Sequence, residues 1–302
     1  MNNYLMLGAC FLLGIILRRS GRLPDNAAVT LNGFVVHISL PALTLAYVHD
    51  LDLNSRLILP ALMPWIMFGL GCAFFWLAGR ALGFSPATTG GLMLTGGLAN
   101  TAFIGLPMIE TFYGPEYLGL GILIDQAGSY LVLSTLGILI ASIYSAGHAF
   151  DTKTIIRRIV LFVPFQALVL ALVLIPFQYP AWLAELLKRL GGTLIPLALV
   201  SVGYQLRLSA VRGKATALAT GLLFKLVLAP ILILVLFAWI FGAEGPVMRV
   251  TVFEAAMAPM LGASIVAMDH ELDPPLLTLM IGMGIPLSFL TLPIWWYVLT
   301  LV

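Results

Sequence analysis

Three charged side chains, Asp125, Lys225 and Glu254, fall inside long apolar runs of the sequence. A charge at the centre of a bilayer costs at least about 2.5 kcal/mol on the mildest insertion scale, so each must face a protein interior and find a partner. Lys225 with Asp125 or Glu254 is the expected pairing. Two chemistries fit it. In one, a buried carboxylate exchanges a proton or Na+, or parts from Lys225 when substrate arrives. In the other, a fixed neutral pair locks a helix bundle.

A second set of residues lies in the stretch from Gly96 to Pro107, an apolar run that nevertheless carries three glycines, an asparagine and a proline. Glycine raises the cost of helix by about 1 kcal/mol and interior proline by about 3 kcal/mol, so this run breaks part way along. One half-helix ends near Gly97 and the next begins near Thr101. A broken backbone survives in a membrane only when buried in protein or facing a watery cavity. The start of a half-helix has unpaired N–H groups and partial positive charge, which suits a carboxylate, and the Asn100 amide donates and accepts beside it. A matching interruption runs from Ala255 through Met257, Ala258 and Pro259 to Ser264. There the proline removes a donor and frees a carbonyl. The alternative is two kinked helices whose small residues serve close packing. His37 and Gln126 are further polar candidates for a binding site.

These residues need a membrane-embedded scaffold to position them, and composition supplies one. Of 302 residues, 61% are hydrophobic and 9% charged, with a mean hydropathy of +1.06. Soluble domains carry about a quarter charged residues. The net charge of +2, without basic runs interleaved with aromatics, argues against a nucleic-acid partner. Cys10 and Cys72 give neither metal-ligand spacing nor a disulfide framework. No metal site is expected, since Asp269, His270, Glu271 and Asp273 lack the spacing of ligands and read as a solvated acidic loop. No HExxH, GxSxG, Walker or dinucleotide motif is present, which argues against an enzyme or an ATP-driven pump.

Apolar spans long enough to cross a bilayer are expected at 3–18, 29–49, 57–82, 86–109, 116–146, 155–176, 181–206, 213–241, 247–268 and 274–301. The first begins almost at Met1 with no basic residue before it, so it reads as a retained helix and not a signal peptide. With the N-terminus outside, the inner loops hold ten Lys and Arg (Arg18, Arg19, Arg22, Arg80, Lys153, Arg157, Arg158, Arg207, Arg212 and Lys214) and the outer loops four (Arg56, Lys188, Arg189 and Arg249). The excess of positive charge marks the cytoplasmic side, so both termini are expected outside.

The ten spans divide into two fives. Pro41 and Pro196 lie 155 residues apart, Arg56 and Arg212 156, and Asn100 and Pro259 159. An odd number of helices per half gives the halves opposite orientations, the inverted repeat of many secondary transporters. The expected fold is therefore an all-α polytopic membrane protein of ten helices, with helices four and nine broken and crossing. The repeats cover 1–146 and 155–302, joined by a cytoplasmic linker at 147–154. Gly105, Pro107, Pro41 and Pro196 are the expected helix-breaking positions.

The run Asn100-Thr101-Ala102-Phe103-Ile104-Gly105-Leu106-Pro107 resembles the NT-x-x-x-G-x-P crossover motif of the auxin efflux carrier family, which includes plant PIN proteins and bacterial malate or malonate permeases. Ala255-Ala256-Met257 with Pro259 is similar to that family's second crossover, although here Ala258 stands between the triplet and the proline. The resemblance implies a bacterial inner-membrane member whose fold is similar to sodium/bile-acid symporters and Na+/H+ antiporters. It also implies a scaffold of helices 1, 2, 6 and 7 and a mobile domain of helices 3–5 and 8–10, moving as an elevator. Family substrates are organic anions, such as malate, malonate or an auxin-like carboxylate, and lipid and a second copy in a homodimer are the other partners considered. No cofactor is implied beyond H+ or Na+ coupling. Asn100, Thr101, Gly97, Met257, Ala258, Pro259, His37 and Gln126 are the expected substrate contacts. Competing readings are a sodium-coupled carrier of the bile-acid symporter type, with a cation held near Glu254 and Asn100, and a membrane sensor or scaffold without turnover.

Overall fold

The computed structural model describes residues 2–49, 51, 54–145, 152–206 and 213–302. Arg207, Arg212 and residues 147–151 of the expected linker lie outside these, as do the side chains of Arg56 and Arg158. The chain is helical throughout, and no strand occurs among the described residues.

In chain order the helices are α1 (Asn2–Ser20), α2 (Ala27–Tyr47), α3 (Ile58–Leu82), α4 (Pro86–Gly97), α5 (Thr101–Phe112), α6 (Pro115–Tyr144), α7 (Thr152–Leu161), α8 (Val163–Leu174), α9 (Ala181–Gln205), α10 (Ala215–Ile240), α11 (Gly245–Ala255), α12 (Leu261–Asp269) and α13 (Pro274–Thr300). Among the described residues, α2, α3, α6, α9, α10 and α13 are each long and apolar enough to cross a membrane. The shorter helices follow interruptions with local causes. Gly83 takes a left-handed conformation at φ 68° and closes α3. The Ser85 hydroxyl then accepts from the Thr88 N–H, with Pro86 in the first turn, to open α4.

Proline leaves a second signature. Wide i→i+5 turns at Val35–Ser39, Thr101–Gly105 and Phe224–Leu228 stand just before Pro41, Pro107 and Pro230. The extra residue in such a turn accommodates a ring that cannot donate an N–H. Pro41 therefore shifts the register of α2 without ending it, and Pro196 sits exposed in the continuous helix α9, three residues after a turn at Thr193. Neither breaks its helix, contrary to the expectation for these two positions. Gly105 and Pro107 likewise lie inside α5, and the break they were expected to make falls earlier, between Gly97 and Thr101.

The helices pack as two groups. In one, α1 lies along the second half of α9, and α8 and the first half of α9 flank the end of α2. Gly14 and Gly203 allow the α1–α9 contact, because a Cβ on either would strike backbone of the other helix, including the Val200 and Phe11 carbonyls. In the other group, α3 to α6 and α10 to α13 surround one another. The boundary is largely apolar, with Phe103 of α5 and Ile195 of α9 touching the cores on both sides.

Candidate functional site

The second group is built around two interrupted helices that meet. After α4 ends at Gly97, Leu98 turns extended (φ −116°, ψ 141°), and after α11 ends at Ala255 the chain reaches Met260 in extended form (φ −73°, ψ 122°). The two extended pieces run antiparallel, Ala99 opposite Pro259. Asn100 N–H donates to the Ala258 carbonyl at 2.9 Å, and Met260 N–H donates to the Leu98 carbonyl at 3.2 Å. Each interruption thus satisfies backbone groups that the other leaves open, as a dry interior requires. Pro259, lacking an N–H, occupies the position facing Ala99 where the ladder asks for no donor, and its ring lies against Gly284 of α13. The backbone that faces Asn100 is therefore Ala258, and the residue added before the proline supplies the acceptor.

Side chains converge on this crossing. Asn100 is 2% exposed; its Oδ1 accepts from the Phe103 N–H at 3.1 Å and caps α5, while its Nδ2 has no partner. The Thr101 hydroxyl donates to Asp125 Oδ1 at 2.6 Å, tying α5 to the wide turn Ile124–Tyr130 of α6. Gly97, Met257, Ala258 and Pro259 are all buried at the interruption. Gln126 is buried beside Asp125, and its Nε2 donates at 3.0 Å to Thr44 Oγ1 of α2, in the other group of helices. The Gln126 Oε1 and the nearby Ser129 Oγ are unpartnered.

The three intramembrane charges are gathered here, but not in the expected pairs. Lys225, fully buried on α10, donates to the Ala255 carbonyl at 2.7 Å, with Met67 Sδ at 3.8 Å. No ion pair within 4.0 Å joins it to Asp125 or Glu254 among the described residues. Ala255 ends α11, which leaves its carbonyl without an intrahelical partner and free to take the ammonium. Glu254 is fully buried, with neither oxygen bonded, and Asp125 and Lys225 are both close enough to act on it electrostatically.

His37 is exposed on α2 and is not among the buried residues at the crossing. Asp273, read from sequence as part of a solvated loop, is 9% exposed and accepts from Lys214 Nζ at 2.7 Å and from the Thr88 hydroxyl at 2.6 Å. Burial alone would raise its pKa, but these bonds outweigh it and hold the carboxyl below the ordinary aspartate value. Aspartate directly before Pro274-Pro275 is a helix-start pattern, and that signal was available in the sequence. Thr44 and Ser129 carried no such signal, being single hydroxyls in apolar helices.

Residues 4–296 match the model of a family described as membrane transport protein. An uncharacterized transporter of Methanothermobacter thermautotrophicus is 30% identical over 293 residues, covering 95% of this chain and 94% of its own. An uncharacterized transporter of Methanocaldococcus jannaschii is 24% identical over 298 residues, covering 95% of each. With apolar helices of crossing length and a match over nearly its whole span, this multi-pass membrane protein belongs to the membrane transport protein family of the auxin efflux carriers.

Proposed function

We propose that the chain is a secondary carrier of small organic anions, working by alternating access in the inner membrane as ten passes in two inverted halves with both termini outside. The observation that carries this reading is the antiparallel crossing of Leu98–Asn100 with Ala258–Met260, where the amide Nδ2 of Asn100 is buried and unbonded. A free amide donor beside the start of α5 is what a substrate carboxylate requires, and a carrier must leave such a donor open between substrates.

The two groups of helices support an elevator, with α1, α2 and α7 to α9 as the scaffold and the rest as the moving part. An apolar boundary suits sliding, since it has few directional bonds to break. Gln126 and Thr44 contribute one such bond across it. A cavity of about 300 Å3 lies on the same boundary, between Arg18, Tyr204 and Gln205 on one side and Leu261, Ser264 and Ile265 on the other. It reaches the first turn of α12, and Arg18 and Asp25 both line it, so its polar walls are mixed in sign.

Counterflow of radiolabelled malate, malonate and indole acetate in proteoliposomes tests the proposal. Saturable exchange of at least one, reduced about tenfold or more by Asn100→Ala through loss of one charge-assisted hydrogen bond, is the expected result. No exchange of any of the three, or an Asn100→Ala protein equal to wild type, overturns it. Binding without flux would instead indicate a sensor.

A further inference from the structure

The motif glycine Gly105 has a neighbour that the proposed carrier function leaves unexplained. A Cβ added there would lie 2.5 and 2.6 Å from the two oxygens of Glu254, so the carboxyl of α11 rests directly on the α5 backbone. Gly121 of α6 leaves room on another side, its own Cβ position being 3.6 Å from Glu254 Oε1 with Leu106 and Ile109 side chains beside it. Two glycines on two helices thus make a recess for one carboxyl group. No hydrogen bond reaches either oxygen.

An ionised carboxylate in such a recess has no hydrogen bond to replace its lost hydration, and Lys225 acts on it only through space. A resident hard cation is no better placed, because it would need about six oxygen ligands and the recess is lined by glycine backbone and aliphatic carbon, with an ammonium nearby. A proton needs only the carboxyl. Resting on the carrier reading above, we propose that Glu254 is the proton-carrying group of this transporter, and that proton and organic anion bind together and cross in the same direction.

Charge decides the direction. With Glu254 neutral, Asp125 and Lys225 cancel, and the crossing accepts the first negative charge of a substrate. With Glu254 ionised, the same substrate enters a site already negative. Each ligand therefore tightens the other. After the anion leaves, the Glu254 O–H bond breaks, the proton passes to water on the open side, and the Lys225 ammonium moves from the Ala255 carbonyl to the new carboxylate. The groups that face Glu254 are Asp125 from α6 and Lys225 from α10, with Arg249 on its own helix. Of the other helices packed on α11, α5 carries Glu110, α13 carries no charged residue and α3 carries Arg80 in its last turn.

Proteoliposome counterflow of labelled malate, malonate and indole acetate, measured from pH 6 to pH 8 in choline and in Na+ media, separates the outcomes. Wild-type exchange is expected to fall about fivefold or more as pH rises, and Glu254→Gln, which cannot lose a proton, is expected to flatten the profile. In lightly buffered detergent at the alkaline end of that range, where exchange has fallen and Glu254 is ionised in the anion-free protein, wild type given malate is expected to take up about one proton per anion bound. That measurement needs no variant to fold. Identical profiles for wild type and Glu254→Gln, anion binding without proton uptake, or exchange that requires Na+ each overturn the proton proposal while leaving the carrier reading intact. Failure to exchange any of the three anions overturns both.

Discussion

Lys225 is the least expected residue at the crossing, because a buried ammonium spends its charge on a backbone carbonyl. Replacing a whole buried ion pair with apolar groups is often neutral or stabilising, whereas removing one member of a tight pair costs about 3–5 kcal/mol. Since Lys225 has no such pair, Lys225→Met is expected to stay folded, eluting as a single species in detergent with a thermal midpoint close to wild type. Gradient-driven uptake is expected to be lost. A Lys225→Met protein that unfolds, and is restored by adding Glu254→Gln, would assign the group to a structural lock. The sequence made all three charges legible by their rarity in apolar runs. Their partners were not legible, because the choice between a carboxylate and a freed carbonyl depends on where α11 stops to within one residue.

At the scale of elements, the interruptions were readable from composition. Gly96, Gly97, Asn100 and Pro259 disfavour helix where they stand, and α4, α5, α11 and α12 end and begin around them. Continuity was harder to read, since Pro41, Pro107 and Pro196 are each absorbed within a helix and a wide turn costs only one residue. The starts of three helices are drawn together by Asp273, which precedes α13 and binds Lys214 before α10 and Thr88 in α4. Its depressed pKa sets a sign for acid stability. The stabilisation is fully present above the ordinary aspartate value of about 3.9 and is lost as pH falls through the lower folded value. Asp273→Asn is expected to lower stability by about 1–3 kcal/mol at neutral pH by weakening charge-assisted bonds. The difference from wild type should close below about pH 4, which thermal unfolding across pH would register. A constant difference down to pH 2 would refute the assignment.

Across the whole molecule, the separation into two groups of helices had no counterpart in local sequence. It depends on which apolar faces meet, and a chain that is 61% hydrophobic offers almost every face. Contacts such as Gly14 against Val200 or Gln126 against Thr44 join positions far apart along the chain, and no periodicity within a helix announces them. The antiparallel bridge also bears on how the protein is made. On the proposed two-half fold, when residues 1–146 have been inserted the Leu98 carbonyl has no donor and the Asn100 N–H no acceptor, because Ala258 and Met260 are still more than 110 residues from being synthesised. On that fold the nascent half waits with its fourth span interrupted and these two backbone groups unpaired. A fragment ending at Ser145 is accordingly expected to be degraded in cells. Co-expression with a fragment beginning at Thr152 is expected to protect it, and pulse-chase labelling would follow both.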